Sequence, residues 1–193
     1  MIWNLYNDKT KKLPSHTLLV EAISYVRERE VSLDLGCGPM RDIPAIVGAG
    51  FKHIDAVDSN PSVSEIAEEK ILEGAPITFH QALYSEFNFP KEKYDLVSAQ
   101  YALPFNPPET FDAMFGRLIS SLKIGGVFTG HFFGMEDSWA SKPEMSFHTE
   151  ADIRELLSDF DIHVLREEKK EGKTALGKDK FWHVFHVIAT RIR

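Results

Sequence analysis

The sequence predicts an α/β protein built on an open, doubly wound sheet of seven strands, mostly parallel, that closes on an antiparallel hairpin. Three observations carry that expectation. From residue 31 to residue 133, short apolar runs alternate with segments of helical period, the pattern of strand–helix units around a parallel sheet. The first apolar run, "VSLDL", ends in the glycine pair Gly36-Cys37-Gly38. Lastly, "DIHVLREE" and "FWHVFHVIATRI" follow one another with no helix between them, so they pair antiparallel.

Taken in order, residues 16–28 place Leu18, Leu19, Ala22, Ile23 and Val26 at helical spacing. After "VSLDL", the segment "IPAIVGAG" is a short helix closed by Gly48 and Gly50, and "HIDAVD" is the second strand. An amphipathic helix, "SVSEIAEEKILEG", ends at Gly74. "ITFHQAL" and "YDLVSA" are strands three and four. "PETFDAMFGRLISSLKIGG" is a helix opened by Pro107 or Pro108 and closed by Gly125-Gly126, and "VFTGHFF" is strand five. "TEADIRELLSDF" is a helix with Thr149 as N-cap and Asp152 three residues on, as in a capping box. The charged, turn-rich run 166–180 forms an exposed hairpin joining the last two strands.

Composition narrows the function classes. The 193 residues suffice for one domain with a substantial core. No apolar run approaches the ~20 residues that span a bilayer, and the N-terminus lacks a signal-peptide core, so a cytoplasmic protein with no membrane partner is expected. A net charge of −7 with no basic run argues against nucleic-acid binding. The lone Cys37 excludes an internal disulfide and offers no metal cluster. His183 and His186 fall on opposite faces of a regular strand and make a poor metal pair. No metal is expected.

In a doubly wound sheet, ligands bind beyond the carboxyl ends of the strands, where strand order reverses. Glycine at 36 and 38 admits positive φ and close approach of another molecule. Asp34 is a charged residue inside an apolar run, costly to bury without a partner. The turn is therefore suited to a ligand that brings hydrogen-bond donors.

"LDLGCGPMRD" resembles the first motif of the class I S-adenosylmethionine-dependent methyltransferases, which have a Rossmann-like sheet of this kind. "DAVDSNPS" resembles their second motif, "FHQALYSEF" the segment flanking the adenine, "YDLVSAQYAL" the fourth motif, and "SLKIGGVFTGHFFG" the turn and strand that follow. The antiparallel final hairpin is a hallmark of the family. "GFKHIDAVDSNPS", "LKIGGVFTGHFFG" and "KFWHVFHVIA" further resemble the small stand-alone bacterial type near the tellurite-resistance methyltransferases. The resemblance implies a methyltransferase that binds S-adenosyl-L-methionine and releases S-adenosyl-L-homocysteine. It places Asp34, Leu35, Gly36, Cys37 and Gly38 at the cofactor's amino-acid end, Asp58 on the ribose hydroxyls with Ser59 and Asn60 beside the adenosine, Ala82 and Leu83 at the adenine, and Gln100 near the methyl group. It also implies one domain over 1–193: an N-terminal helical or lid segment (1–30, with Trp3 and Tyr6 over the cofactor), a cofactor-binding core (31–133), and a substrate-side loop, helix and hairpin (134–193). A small-molecule acceptor follows, on a monomer or homodimer.

Two positions depart from the family. Met40 stands where glycine is frequent, and Leu83 where many members are acidic. "FNPPE" at 105–109 resembles the motif of amino-group methyltransferases but comes several residues late, and Asn106 as N-cap before proline explains it more simply. Methyl transfer needs chiefly alignment and exclusion of water, with an acid–base residue only where the acceptor loses a proton. Candidate catalytic residues are Tyr101, directly after strand four, and His131 in strand five. Tyr101, Trp139 and His148 are the candidate acceptor contacts, the last two flanking the long loop "GMEDSWASKPEMSFH". Two alternatives stand beside the enzyme: a catalytically inactive S-adenosylmethionine-binding regulator or partner subunit, and an NAD-dependent oxidoreductase, whose fingerprint also sets an acidic residue about 20 positions on.

Overall fold

The structure, a computed structural model, describes residues 2–193. Helices α1 (Ile2–Thr10) and α2 (Thr17–Ile23) precede β1 (Val31–Leu35), α3 (Ile43–Gly48), β2 (His53–Asp58), α4 (Val63–Leu72), β3 (Ile77–Gln81) and β4 (Tyr94–Ala99). A 3-10 turn (Leu103–Phe105), α5 (Pro108–Ser120), β5 (Leu122–Phe133), α6 (Glu150–Leu156), β6 (Phe160–Lys173) and β7 (Asp179–Arg191) complete the chain. The sheet has seven strands in the order β3-β2-β1-β4-β5-β7-β6. β1 to β5 run parallel to one another, and β7 is antiparallel to both β5 and β6. The doubly wound sheet with an antiparallel end is therefore the fold of this chain. No helix of the described residues is long and apolar enough to cross a membrane.

Two apolar layers hold the sheet, and strand alternation sorts residues between them. Leu33, Leu35, Val97, Ala99, Phe128 and Phe132 pack with Phe111 and Phe115 of α5. Ile54, Ala56, Leu96 and Val127 pack on Leu18, Leu19 and Ala22 of α2 and on Ile43 and Ile46 of α3. Asp34, Ser98 and Thr129 share one register row of this second face, so polar groups lie across the sheet just where α2 and α3 cover it. Strand order reverses between β1 and β4, which puts their carboxyl ends at the switch point.

Three boundaries differ from the sequence expectation. The helix expected over 16–28 ends at Ile23, where the Ser24 hydroxyl turns back to the Glu21 carbonyl; Val26 is still buried, in the turn that follows. The helix expected through Gly126 ends at Ser120, and residues 122–126 begin β5. There the Ser121 carbonyl accepts the N–H groups of Lys93 and Tyr94, so the chain joins β4 early and the register then jumps between Tyr94 and Leu96. Asn106 is not the N-cap of α5. Pro107 is, while the Asn106 amide donates to the Pro107 carbonyl and Thr110 Oγ1. Thr149 and Asp152 do form the expected capping box.

Candidate active site

The glycine turn is tied down by its own neighbours. Gly36 and Cys37 N–H both donate to the Val57 carbonyl at 2.8 and 3.0 Å. Gly38 N–H donates to Asp58 Oδ2 at 2.9 Å, and Asn60 N–H to Asp58 Oδ1 at 2.8 Å. A carboxylate has about four lone-pair positions, so Asp58 keeps acceptor capacity for a ligand hydroxyl. Ala82 N–H donates to the Asp58 carbonyl, which brings the end of β3 alongside; Ser59 and Leu83 are exposed there. A Cβ on Gly36 would lie 2.5 Å from Tyr84 Oη and 2.6 Å from Ala102 Cβ. Only glycine fits, with φ of +73°. Met40 holds φ of +57° at the glycine-like position, yet its side chain is buried in the layer of Ile43 and Ile46. It leaves the turn by its other side.

Asp34 is the anomaly of the site. It is 2% exposed and its Oδ2 has no hydrogen-bond partner. Burial, with Asp42 and then Asp58 nearby, pushes its carboxyl well above the usual range. Burial also raises Asp58 against the N–H groups of Asn60, Gly38 and Ser59. The same surroundings push the Cys37 thiol well up, so it is no nucleophile at neutral pH. Three carboxylates thus converge on one turn, and the most buried of them is unpaired.

Beyond β4, Tyr101 takes φ of +53°, a conformation costing on the order of 1–3 kcal/mol that clusters at functional sites. Its ring stacks on His131 at 3.9 Å and 14°, and its N–H donates to His131 Nδ1 at 3.3 Å. His131 Nε2 meets His186 Nδ1 at 3.1 Å, and His186 Nε2 lies 3.6 Å from Glu168. The acceptor role of His131 Nδ1 fixes the tautomers along this row, each Nε2–H pointing outward to the next group. Burial, then His186, His16 and Arg166, keeps His131 well below the ordinary histidine range. With both nitrogens engaged and 2% exposure, His131 has no free lone pair, so the expected catalytic role of His131 gives way to positioning Tyr101. Gln100 is buried, its amide near Ser98 and Thr129 Oγ1 at 3.3 and 3.4 Å, with Oε1 unpartnered.

The long loop divides. Trp139 joins Phe105, Phe133 and Trp182 at the Tyr101 end. Lys180 lies in that ring cluster, 4.1 Å from Trp139 and 4.4 Å from Trp182, paired with Asp137; the pair pins the loop to β7. His148 goes elsewhere. It contacts Phe111 and Phe132, on the face of β5 opposite His131, so the structure does not bring it to Tyr101 as expected.

Two contributions escaped the sequence reading. His16, just before α2, donates through its N–H to Asp42 Oδ1 and contacts Asp42 Oδ2 through Nδ1, both at 2.7 Å. Its ring lies 5.6 Å from Tyr101 and 6.3 Å from His131. Tyr84 reaches under the glycine turn, and burial with Asp58 beside it pushes its hydroxyl well up. From above, α1 covers the turn: Asn7 is buried 3.6 Å from where a Gly38 Cβ would stand, Asn4 accepts from the Asn60 amide, and Trp3 packs edge-on to Phe105. No group of three or more His, Cys, Asp or Glu among the described residues is arranged to hold a metal.

The sequence profile of a family described as "Methyltransferase domain" matches residues 33–126. No curated protein sequence matches the chain. Among solved structures, TehB from Haemophilus influenzae is similar over 96% of this chain at 17% identity and a TM-score of 0.80; this chain spans 65% of TehB's length. A SAM-dependent methyltransferase from Methanosarcina mazei is similar at 20% identity, over 93% of this chain and 99% of its own, with a TM-score of 0.69. The 1,6-didemethyltoxoflavin-N1-methyltransferase of Burkholderia thailandensis, solved with S-adenosylhomocysteine, is similar at 20% identity, over 92% of this chain and 79% of its own, with a TM-score of 0.63. Residues 33–126 are thus similar to a methyltransferase domain, and the fold of the whole chain is the Rossmann-like sheet of the class I methyltransferases.

Proposed function

We propose that this chain binds S-adenosyl-L-methionine and transfers its methyl group to a small-molecule acceptor. The observation that carries the reading is the unpaired, buried Asp34 beside Asp42 and Asp58. An orphaned buried carboxylate in an acidic pocket favours a cationic ligand. S-adenosylmethionine carries an ammonium and a sulfonium, and its ribose presents hydroxyls that can donate to the Asp58 carboxylate. The diphosphate of NAD would meet three carboxylates instead, so the same pocket disfavours the oxidoreductase. The residues present therefore fit the cofactor that the domain match implies.

When bound, the cofactor supplies an electrophilic methyl group; the chain's own residues bind, orient and exclude water. Asp34 holds the ammonium, Leu35 to Gly38 pass the amino-acid chain, and Asp58 accepts from the ribose. Ser59, Asn60, Ala82 and Leu83 border the adenosine, with apolar contact and backbone groups in place of an acidic side chain at 83. Gln100 and Tyr101 face the methyl end, and Trp139 with its aromatic neighbours walls the acceptor side. The final products are a methylated acceptor and S-adenosyl-L-homocysteine.

Calorimetric titration with S-adenosylhomocysteine, with NAD in parallel, tests this. Binding of the former alone is the expected result. Asp58→Ala should weaken it by about 1.5–3 kcal/mol for lost hydrogen bonds to a charged group. Binding of NAD, or unchanged affinity in the variant, would overturn the assignment.

A further inference from the structure

The approach to Tyr101 holds a histidine that neither the glycine motif nor the strand ends announce. Asp42 receives both the backbone N–H and Nδ1 of His16 at 2.7 Å. The stretch around it is pinned to the same loop: Ser15 Oγ donates to the Arg41 carbonyl at 2.9 Å, and Arg41 Nε to the Pro14 carbonyl at 3.0 Å. A carboxylate on Nδ1 fixes the neutral imidazole with its proton there and its lone pair on Nε2. Nε2 has no partner among the described residues, and the side chain is 16% exposed against 6% for Asp42. The ring is oriented like a base held by a third group.

We propose that His16, held by Asp42, is the general base of this site, taking the proton from an acceptor whose accepting atom carries one, a hydroxyl or thiol on a flat ring held against the Tyr101 side. This rests on the methyltransferase reading above. In the step, the acceptor lone pair bonds the methyl carbon, the carbon–sulfur bond breaks with its electrons returning to sulfur, and the acceptor's proton passes to His16 Nε2. No positive charge accumulates on the product. His131 cannot serve, because Tyr101 and His186 occupy its two nitrogens. The titratable and charged groups around His16 are Asp42 and Arg41 from the loop before α3, Tyr6 from α1, Tyr101 after β4 and His131 from β5. The Tyr101 hydroxyl, pushed up to about 12 by burial and then by Glu168 and Tyr6, stays protonated and does not compete as a base at neutral pH.

The first readout is nitrogen-15 NMR of the histidine side chains with S-adenosylhomocysteine at saturation. In its neutral form His16 should carry its proton on Nδ1, with the lone pair on Nε2, and Asp42→Asn should abolish that preference. The second uses phenols and aromatic thiols as acceptor probes. His16→Gln should lower kcat about a hundredfold or more, the low end of general-base effects, and leave KM within a few-fold. A neutral His16 with its proton on Nε2 in the complex, or wild-type kcat in His16→Gln, overturns the proposal. The NMR readout decides the case should no probe turn over. Failure of S-adenosylhomocysteine to bind wild-type protein overturns the cofactor reading instead, and the tautomer of His16 is still measured in the free protein.

Discussion

At the scale of single residues, Asp34 trades stability for binding. Its folded carboxyl is raised by burial and by Asp42 and Asp58, while the unfolded value is about 3.9. The folded state therefore holds that proton more tightly. The resulting stability is full below the unfolded value and is lost as pH rises through the folded one. At neutral pH the free protein bears the cost of an unpaired buried charge or of its enforced protonation. Asp34→Asn removes the charge and keeps the shape, so it should raise the melting temperature of free protein at neutral pH. A gain of about 0.5–2 kcal/mol, typical where a strained site is relaxed, corresponds to about 2–4 °C per kcal/mol at this size. The gain should shrink as pH falls toward 4, and affinity for S-adenosylhomocysteine should fall at least tenfold. A variant that melts lower and binds normally would show Asp34 to be a structural group. Met40 makes a related trade: a positive φ costs about 1–2 kcal/mol for a residue with a Cβ, and full burial of its side chain contributes about 1.5–3 kcal/mol, enough to offset it.

At the scale of elements, α1 is attached to the site more than to the core. Among its described residues the buried ones are Asn7 and Thr10, and they reach the rest through the Asn4–Asn60 bond, the Trp3–Phe105 contact and the approach of Asn7 to Gly38. None of its described side chains, from Trp3 on, belongs to the two main apolar layers. Removing residues 2–12 should therefore lower the melting temperature by only a few degrees while weakening S-adenosylhomocysteine binding clearly, by tenfold or more. Unchanged affinity would mean that α1 merely rests on the turn. The elements also show what a sequence discloses. Strands β1, β2 and β4 were legible to the residue because each is a short apolar run ending at a turn signal. The start of β5 was not: "LKIGG" continues the period of α5, and only the pairing of Ser121 with Lys93 and Tyr94 decides for a strand. His16 and Asp42 were illegible for a similar reason. They stand 26 residues apart with no motif spacing, and only the packing of α2 beside the glycine turn joins them.

For the whole molecule, the sheet topology gathers charge. The sheet order β3-β2-β1-β4 sets β1 beside β2 and so brings together Asp34 of β1, Asp58 at the end of β2 and Asp42 from the loop before α3, in a protein of net charge −7. An acidic centre in an acidic molecule draws cations, and its occupancy is linked to pH. A cationic ligand that pairs with Asp34 lowers that carboxyl, so binding must expel whatever proton Asp34 held in the free protein. Affinity should therefore rise with pH up to the ionisation of Asp34 in free protein and level off above it. Titrations in buffers of different ionisation enthalpy should show net proton release on the rising limb. Asp34→Asn should abolish that release, whereas His16→Gln should leave it. Proton uptake on binding, or an affinity that falls as pH rises through this window, would contradict the pairing of Asp34 with the ammonium. The link runs through the fold itself: the parallel pairing of β1 with β2 sets Asp34 and the loop that carries Asp42 beside Asp58, so a cation that enters there meets all three carboxylates.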